Sequence, residues 1–269
     1  NHKMLNDLVH SLDKTRLTTE AVLTACNINE EYVHISDVLS YNHYFGWYGG
    51  DVSMYGDWFD TFHKKYPNKA IGMSEYGCEA LNWHTSHPEQ GDYTEEYQAY
   101  YHEEVIKQIA KRPYLWATHV WNMFDFGVPM WSRGGVPARN LKGLITFDRK
   151  IKKDSYYWYK ANWSKDPVLY LTQRRNIDRE RKHTSVTVYS NIGTPQVYLN
   201  GKELTGIRQG YTDVHYVLAD VTLEQGKNTI KTVATYNGKE YTDEIEWNYT
   251  GEKKRSADWS ENKEEHAGW

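Results

Sequence analysis

Glu75 closes the stretch Ala70-Ile71-Gly72-Met73-Ser74-Glu75, which is apolar apart from Ser74 and runs on into Tyr76 and Gly77. Gly77 lets the chain turn sharply behind that carboxylate. Other polar groups gather at the ends of extended stretches in the same way. Glu20 follows Arg16-Leu17-Thr18-Thr19, and Asn42, His43 and Tyr44 follow Asp37 to Tyr41. His119, Trp121, Asn122 and Asp125 come at the end of the stretch that starts at Tyr114. Carboxylates flanked by Tyr and Trp are what a sugar site requires: aromatic faces stack on the C–H face of a pyranose, and carboxylates and amides read its hydroxyls. Displacement at an anomeric carbon uses one carboxylate as nucleophile or base and a second as acid. On that chemistry Glu75 is the nucleophile candidate, and Tyr44 is the hydroxyl that donates to it and keeps it charged. Taken singly, both stay ambiguous. A strand-end Glu is more often exposed or salt-bridged, and a lone Tyr more often packs in a core.

Such groups need a scaffold that sets strand ends side by side. Met4, Leu5, Leu8, Val9 and Leu12 fall on one helical face. Extended stretches are expected at Arg16–Ala21, Asp37–Tyr44, Ala70–Gly77 and Tyr114–Trp121. Between them Met54, Trp58, Phe59, Phe62 and Tyr66 repeat at helical spacing. Tyr97, Tyr101, Val105, Ile106 and Ile109 mark a long helix with Thr94 as its N-cap, and a last helix is expected near 154–163. Strand–helix alternation means parallel strands with crossover helices, and in a barrel of that kind functional groups sit at the C-terminal strand ends.

Beyond residue 166 the period changes to two. Ser185–Tyr189 alternates, Gln196–Leu199 runs into Asn200-Gly201, and Thr229–Tyr236 meets Asn237-Gly238 before Lys239–Trp247 returns. Short strands joined by Asn-Gly turns indicate a β-sandwich of immunoglobulin type. Tryptophan marks the change, occurring at 47, 58, 83, 116, 121, 131, 158 and 163 and then not before 247. The charged run Arg174–His183 reads as a solvated loop or linker. The expected divisions are residues 1–165, 166–250 and a polar tail, 251–269.

Composition narrows the function classes. The chain has 269 residues with net charge −4 and 15% aromatic residues, among them 23 Tyr and 11 Trp. That aromatic content excludes disorder for most of its length. A mildly acidic balance argues against a nucleic-acid partner, whose phosphates need a basic face. No apolar run reaches the ~18–20 residues that cross a bilayer, so a soluble chain with no membrane partner is expected. Cys26 and Cys78 give neither a disulfide framework nor metal-ligand spacing and are expected to be free buried thiols. The histidines are scattered, and no metal site is expected.

Several segments together resemble glycoside hydrolase family 2, with a spelling closest to its bacterial β-galactosidases. They are Tyr41-Asn42-His43-Tyr44-Phe45-Gly46-Trp47-Tyr48, Ser74-Glu75-Tyr76-Gly77 and Val120-Trp121-Asn122-Met123-Phe124-Asp125-Phe126. Asn140-Leu141-Lys142-Gly143-Leu144-Ile145-Thr146-Phe147-Asp148-Arg149 and Tyr156–Trp163 complete the set. The resemblance implies an α/β part, strands five to eight of a (β/α)8 TIM barrel, followed by an all-β immunoglobulin-like sandwich. It implies a retaining hydrolase of terminal β-D-galactosides working through a covalent glycosyl-enzyme, with no cofactor. Glu75 takes the nucleophile's place and Tyr44 that of its partner. Trp121 becomes the platform under the sugar, and Asn42, His43, Asp125, Asn140 and Lys142 become sugar-binding groups. Asn140-x-Lys142-Gly143 also resembles the signature with which β-glucuronidases hold a sugar carboxylate, which makes a β-glucuronidase the alternative. A non-catalytic carbohydrate-binding or structural fragment is the other.

One part of the family pattern does not occur in this sequence. The family's acid/base is a Glu after an Asn at the end of strand four, whereas Asn29-Glu30 falls in a polar stretch and reads as coincidence. Glu20 and Asp125 are the other nearby carboxylates, and both read as sugar-binding or supporting groups. The chain is therefore expected to carry the nucleophile half of the site. Its expected partner is a preceding part of the same protein with barrel strands one to four and further β domains. A bacterial periplasm or cytoplasm fits such an enzyme.

Overall fold

The computed structural model describes residues 1–132 and 136–251. The tail expected at 251–269 lies outside the described residues from 252 onward. Contacts divide the chain into two units, one of residues 1–80 and 98–151 and one of residues 81–97 and 152 onward.

The first unit is built on a parallel sheet in the order β1-β2-β3-β4, comprising β1 (Ala21–Leu23), β2 (Leu39–Asn42), β3 (Ile71–Tyr76) and β4 (Leu115–Val120). Helices α1 (His2–Leu12), α2 (Met54–Lys65) and most of α3 (Glu95–Ile109) belong with it. β2 and β3 are buried on both faces, as parallel strands are, with Leu39, Tyr41, Ile71, Met73 and Tyr76 all inaccessible. Helix α2 turns Tyr55, Phe59 and Phe62 inward. Helix α1 forms as its periodicity requires, yet Met4, Leu5, Leu8, Val9 and Leu12 remain exposed.

Two expectations for this part are corrected. The first strand is Ala21–Leu23 rather than Arg16–Ala21. Side chains take up the backbone before it: the Thr18 N–H donates to Asp37 Oδ2 at 2.7 Å, so these residues are capped instead of joining the ladder. Glu20 consequently precedes its strand, on the side opposite to the strand ends, and pairs with His2 at 2.6 Å. The expected N-cap does form, with Thr94 Oγ1 accepting from the Tyr97 N–H at 3.1 Å.

The second unit holds α4 (Asp154–Trp163) and the remaining strands. They are β7 (Leu169–Leu171), β8 (Asp178–Arg179), β9 (His183–Ser190), β10 (Gln196–Leu199) and β11 (Lys202–Leu204), then β12 (Arg208–Gln209), β13 (His215–Thr222), β14 (Gly226–Tyr236) and β15 (Lys239–Tyr249). A two-stranded ribbon, β5 (Phe126–Gly127) with β6 (Arg139–Asn140), stays with the first unit. Two sheets, β11-β10-β14-β15-β8 and β12-β13-β9-β7, are antiparallel except where β8 runs parallel to β15. Leu171, Val186, Val188, Leu218, Ile230, Ile245 and Trp247 share one apolar cluster in this unit. Both Asn-Gly pairs turn with positive φ, 50° and 81° at Asn200-Gly201 and 52° and 74° at Asn237-Gly238, as tight hairpins require.

The charged run 174–183 is solvated only in part: Ile177, Asp178 and Glu180 to His183 are exposed, whereas Arg174, Arg175 and Arg179 are tied to the second unit. Arg179 is 8% exposed, with its guanidinium 3.7 Å from the centre of the Trp247 ring. Arg174 pairs with Asp243 at 2.5 Å, and Arg175 reaches Glu95 and Asp154. Cations in such a run look solvated in sequence because their carboxylate partners lie far along the chain.

Candidate active site

The site grows out of an irregularity in β3. On both sides of that strand the parallel register slips near Ser74, so that Asn42 stands opposite Glu75 and Tyr76 opposite Val120. An extra residue in a strand re-aims the side chains around it. Ser74 turns its hydroxyl to Asn42 Oδ1 at 2.7 Å, and Glu75 is left half-buried at the strand end. Tyr44 donates its hydroxyl to Glu75 Oε2 at 2.7 Å. Burial first, and that bond second, push the Tyr44 phenol far above the ordinary tyrosine range, so it remains a donor at every working pH. Gly77 is required by close approach rather than by a turn, since the chain runs on extended there: a Cβ would stand 2.2 Å from the Trp121 carbonyl oxygen.

Facing this strand end is the segment Asn140–Leu144. Its backbone is fixed by the chain leaving β4, where the Asn122 N–H donates to the Lys142 carbonyl and the Leu144 N–H to the Asn122 carbonyl, both at 3.0 Å. Asp125 Oδ1 accepts from the Gly143 N–H at 2.8 Å, and a Cβ on Gly143 would collide with the Asp125 backbone at 2.0 Å. Asn140 Oδ1 accepts from the Lys142 N–H at 3.0 Å. The Lys142 side chain is 1% exposed and donates to the Tyr48 hydroxyl at 2.6 Å. Its ammonium lies 4.6, 5.1 and 5.4 Å from the ring centres of Tyr48, Trp131 and Tyr44. Tyr44 thus touches both charged groups, Glu75 through its hydroxyl and Lys142 through its ring. A carboxylate at a strand end and an ammonium in an aromatic box form a site able to attack an electron-poor carbon beside an anionic group.

The residues singled out from sequence are distributed as follows. Glu75, Tyr44, Asn42, Asn140, Lys142 and Asp125 are brought together, Asn140 and Asp125 as buried braces of the Lys142 segment. Trp121 is half-buried, its N–H donating to the Tyr76 carbonyl at 2.8 Å and its ring set edge-on to Phe126. His43 is not among them. It is 0% exposed, enclosed by the rings of Tyr41, Phe45, Trp58 and Phe59, with Nδ1 2.9 Å from Thr24 Oγ1. Burial pushes its imidazole down to about 3, so the ring is neutral and packs. Asn29-Glu30 is also outside the site, since Asn29 Oδ1 accepts from the Tyr66 hydroxyl at 2.9 Å before a short 3-10 turn. Among the described residues no group of His, Cys, Asp and Glu could hold a metal ion, and no helix is long and apolar enough to cross a membrane. Cys78 is buried, whereas Cys26 is only partly buried. Sequence reasoning missed Tyr48, Trp131 and Glu79. Tyr48 ends the recognised aromatic motif and could have been found there. Glu79 follows the motif without any pattern that marks it.

Comparison with known proteins agrees with this geometry. Residues 1–166 match the family described as Glycosyl hydrolases family 2, TIM barrel domain. A curated β-glucuronidase of Bacteroides fragilis is 37% identical over 92% of this chain and 36% of its own length. A crystal structure from the same species, provisionally named a β-galactosidase, superposes with TM-score 0.90 at 52% identity over 94% of this chain and 38% of that one. The structure of an FMN-binding β-glucuronidase from F. prausnitzii L2-6 follows with TM-score 0.85 and 45% identity, covering 92% of this chain and 38% of its own. The chain therefore spans little more than a third of each of these relatives.

Proposed function

Because this chain belongs to glycosyl hydrolase family 2, we propose that it supplies the nucleophile half of a retaining β-glucuronidase. Glu75 attacks the anomeric carbon of a terminal β-glucuronide, the bond to the aglycone oxygen breaks, and a covalent glycosyl-enzyme forms. An acid in the preceding part of the complete protein gives its proton to the departing oxygen and then takes one from the water that releases the sugar. Tyr44 holds the Glu75 carboxylate in line until it attacks. Residues 1–165 form strands five to eight of the barrel, and 166–250 an immunoglobulin-like sandwich. On this reading the preceding strands pair along the outer edge of β1.

One observation carries the choice of sugar: the buried Lys142 ammonium shares Tyr44 with Glu75. A fixed positive charge beside the reacting carbon suits the carboxylate of a glucuronide and leaves a neutral galactoside with nothing to neutralise. The curated relative named β-glucuronidase supports the same reading. The galactoside specificity expected from the sequence becomes the second reading, favoured by the name given to the 52% identical structure. Hydrolysis changes no oxidation state, so the flavin named for one relative enters no step. The test is to assay the complete protein on nitrophenyl β-glucuronide and β-galactoside. Preference for the glucuronide is expected, with Lys142→Met abolishing it. Turnover of the galactoside alone overturns the proposal.

A further inference from the structure

Glu79 lies within the same unit and takes no part in the mechanism above, yet it is a fully buried carboxylate at 0% exposure. Its two oxygens differ. Oε1 accepts the Leu141 N–H at 3.1 Å, while the neighbouring Ala80 N–H donates to the Leu141 carbonyl at 3.0 Å. Leu141 is thus held on both its backbone groups, and with it the flanking Asn140 and Lys142. Oε2 has no hydrogen-bond partner and stands 3.9 Å from Lys142 Nζ. That distance is too long for a hydrogen bond and short enough for a strong charge interaction away from water.

A buried amine tends to lose its proton, because burial disfavours the charged form. Groups facing the Lys142 ammonium among the described residues include the Tyr48 hydroxyl and ring, the Tyr44 and Trp131 rings and the Glu79 carboxylate. Glu75 lies one hydrogen bond further, behind the Tyr44 hydroxyl. Of these, Glu79 is the counter-charge nearest to Lys142 that carries no part of the reaction.

We propose that Glu79 is a positioning residue that keeps Lys142 protonated while buried, and through it sets the preference for an acidic sugar. The inference rests on the glucuronide reading for its consequence and on the Glu79–Lys142 geometry for its cause.

Two substitutions separate charge from scaffolding. Glu79→Gln keeps an oxygen for the Leu141 N–H and removes the charge. Glu79→Asp keeps the charge and shortens the reach. In the complete protein carrying 13Cε-labelled lysine, with the Lys142 signal assigned by its loss in Lys142→Met, Glu79→Gln is expected to lower the midpoint of the Lys142 titration by about one to three pH units. Glu79→Asp should leave it near the wild-type value. The ratio of kcat/KM on nitrophenyl β-glucuronide to that on the neutral β-glucoside should then fall in Glu79→Gln with the fraction of Lys142 left unprotonated, by up to about fivefold at pH 8 for a shift of about three units from the usual lysine value. The fall should come mainly through KM and be far less at pH 5.5. An unmoved Lys142 titration overturns the proposal. An equal loss on both substrates at every pH also overturns it, leaving Glu79 a structural brace. If the titration moves while Lys142→Met leaves the glucuronide preference intact, Lys142 does not set the choice of sugar and the proposal is overturned. If the titration moves while the wild-type protein turns over only neutral glycosides, the counter-charge role stands and the glucuronide reading fails.

Discussion

Each of the two units buries charge, and they do so in opposite ways. In the second unit the buried carboxylates of Asp154 and Glu95 are saturated, whereas the neighbouring Glu96 keeps one oxygen without a hydrogen bond. Asp154 Oδ1 accepts the Tyr170 hydroxyl at 2.6 Å, and its Oδ2 accepts the Gln173 N–H at 2.5 Å. Glu95 accepts the Asp154 N–H at 2.7 Å and two donors of the Arg175 guanidinium. In the first unit the charges near β3 are held loosely: Glu75 is bound by one tyrosine, and Glu79 faces Lys142 across 3.9 Å with an unbonded oxygen. A buried ion pair contributes little net stability unless its remaining bonds are satisfied. The saturated network therefore fixes architecture, whereas the loosely held charges are poised for a ligand to complete.

The sharpest way to break this contrast is to remove one charge from each unit. Glu75→Gln in the complete protein should lower kcat on its glycoside by more than about 10³-fold, since no other group on this strand end can attack. Its melting temperature should stay within about a degree of wild type. Unchanged turnover would remove Glu75 from the nucleophile's place and favour a non-catalytic sugar-binding role. Arg175→Met should do the reverse. It strands Glu95 and Asp154 without their cation and should cost about 3–5 kcal/mol of stability, read by urea unfolding. The enzyme that remains folded should turn over at the wild-type rate.

A smaller change tests how loosely the site is held. Tyr44→Phe removes the hydroxyl from Glu75 and leaves the ring over Lys142. A hydrogen bond to a charged group is worth about 1.5–3 kcal/mol, so kcat should fall roughly 10- to 150-fold. KM for the glucuronide should change little, because the ring survives. A loss confined to KM would mean that Tyr44 serves binding alone.

The same contrast explains what the sequence showed. Helices α2, α3 and α4 and the hairpin strands were legible because apolar periodicity and Asn-Gly turns are local signals. Glu75, Tyr44 and Lys142 were legible because each sits in a recognisable motif beside a strand end. His43 was misplaced for a physical reason. It shares the strand-end position of Asn42 and Tyr44, and only the ring packing of α2 against β2 shows which way it turns. Arg175 and Arg179 were misread because nothing near them in sequence announces Glu95 or Trp247. Glu79 was invisible for the same reason, since its partner Lys142 arrives from a segment beyond β4.

The smallest effect expected is in pH dependence, and its sign follows from Glu96. Burial, then the nearby Asp154 and Glu95 charges, push its carboxyl up to about 8 from 4.5, against the pull of Arg179. A carboxyl raised by folding contributes stability that is complete below about 4.5 and is lost as pH rises through about 8. The second unit should therefore melt progressively lower as pH goes from 5 to 8. Glu96→Gln, which stays neutral throughout, should flatten that slope. The difference in melting temperature between variant and wild type should be near zero at pH 5 and reach a few degrees in the variant's favour at pH 8. His215 acts on the other limb: burial pushes it down to about 4, so its contribution is present above about 6.5 and lost as pH falls. A Glu96→Gln profile parallel to wild type across pH 5–8 would mean that Glu96 is already ionised and paired with Arg179. The second unit would then hold a buried charge with an oxygen lacking any hydrogen bond, and the contrast between saturated and loosely held charge would fail at that residue.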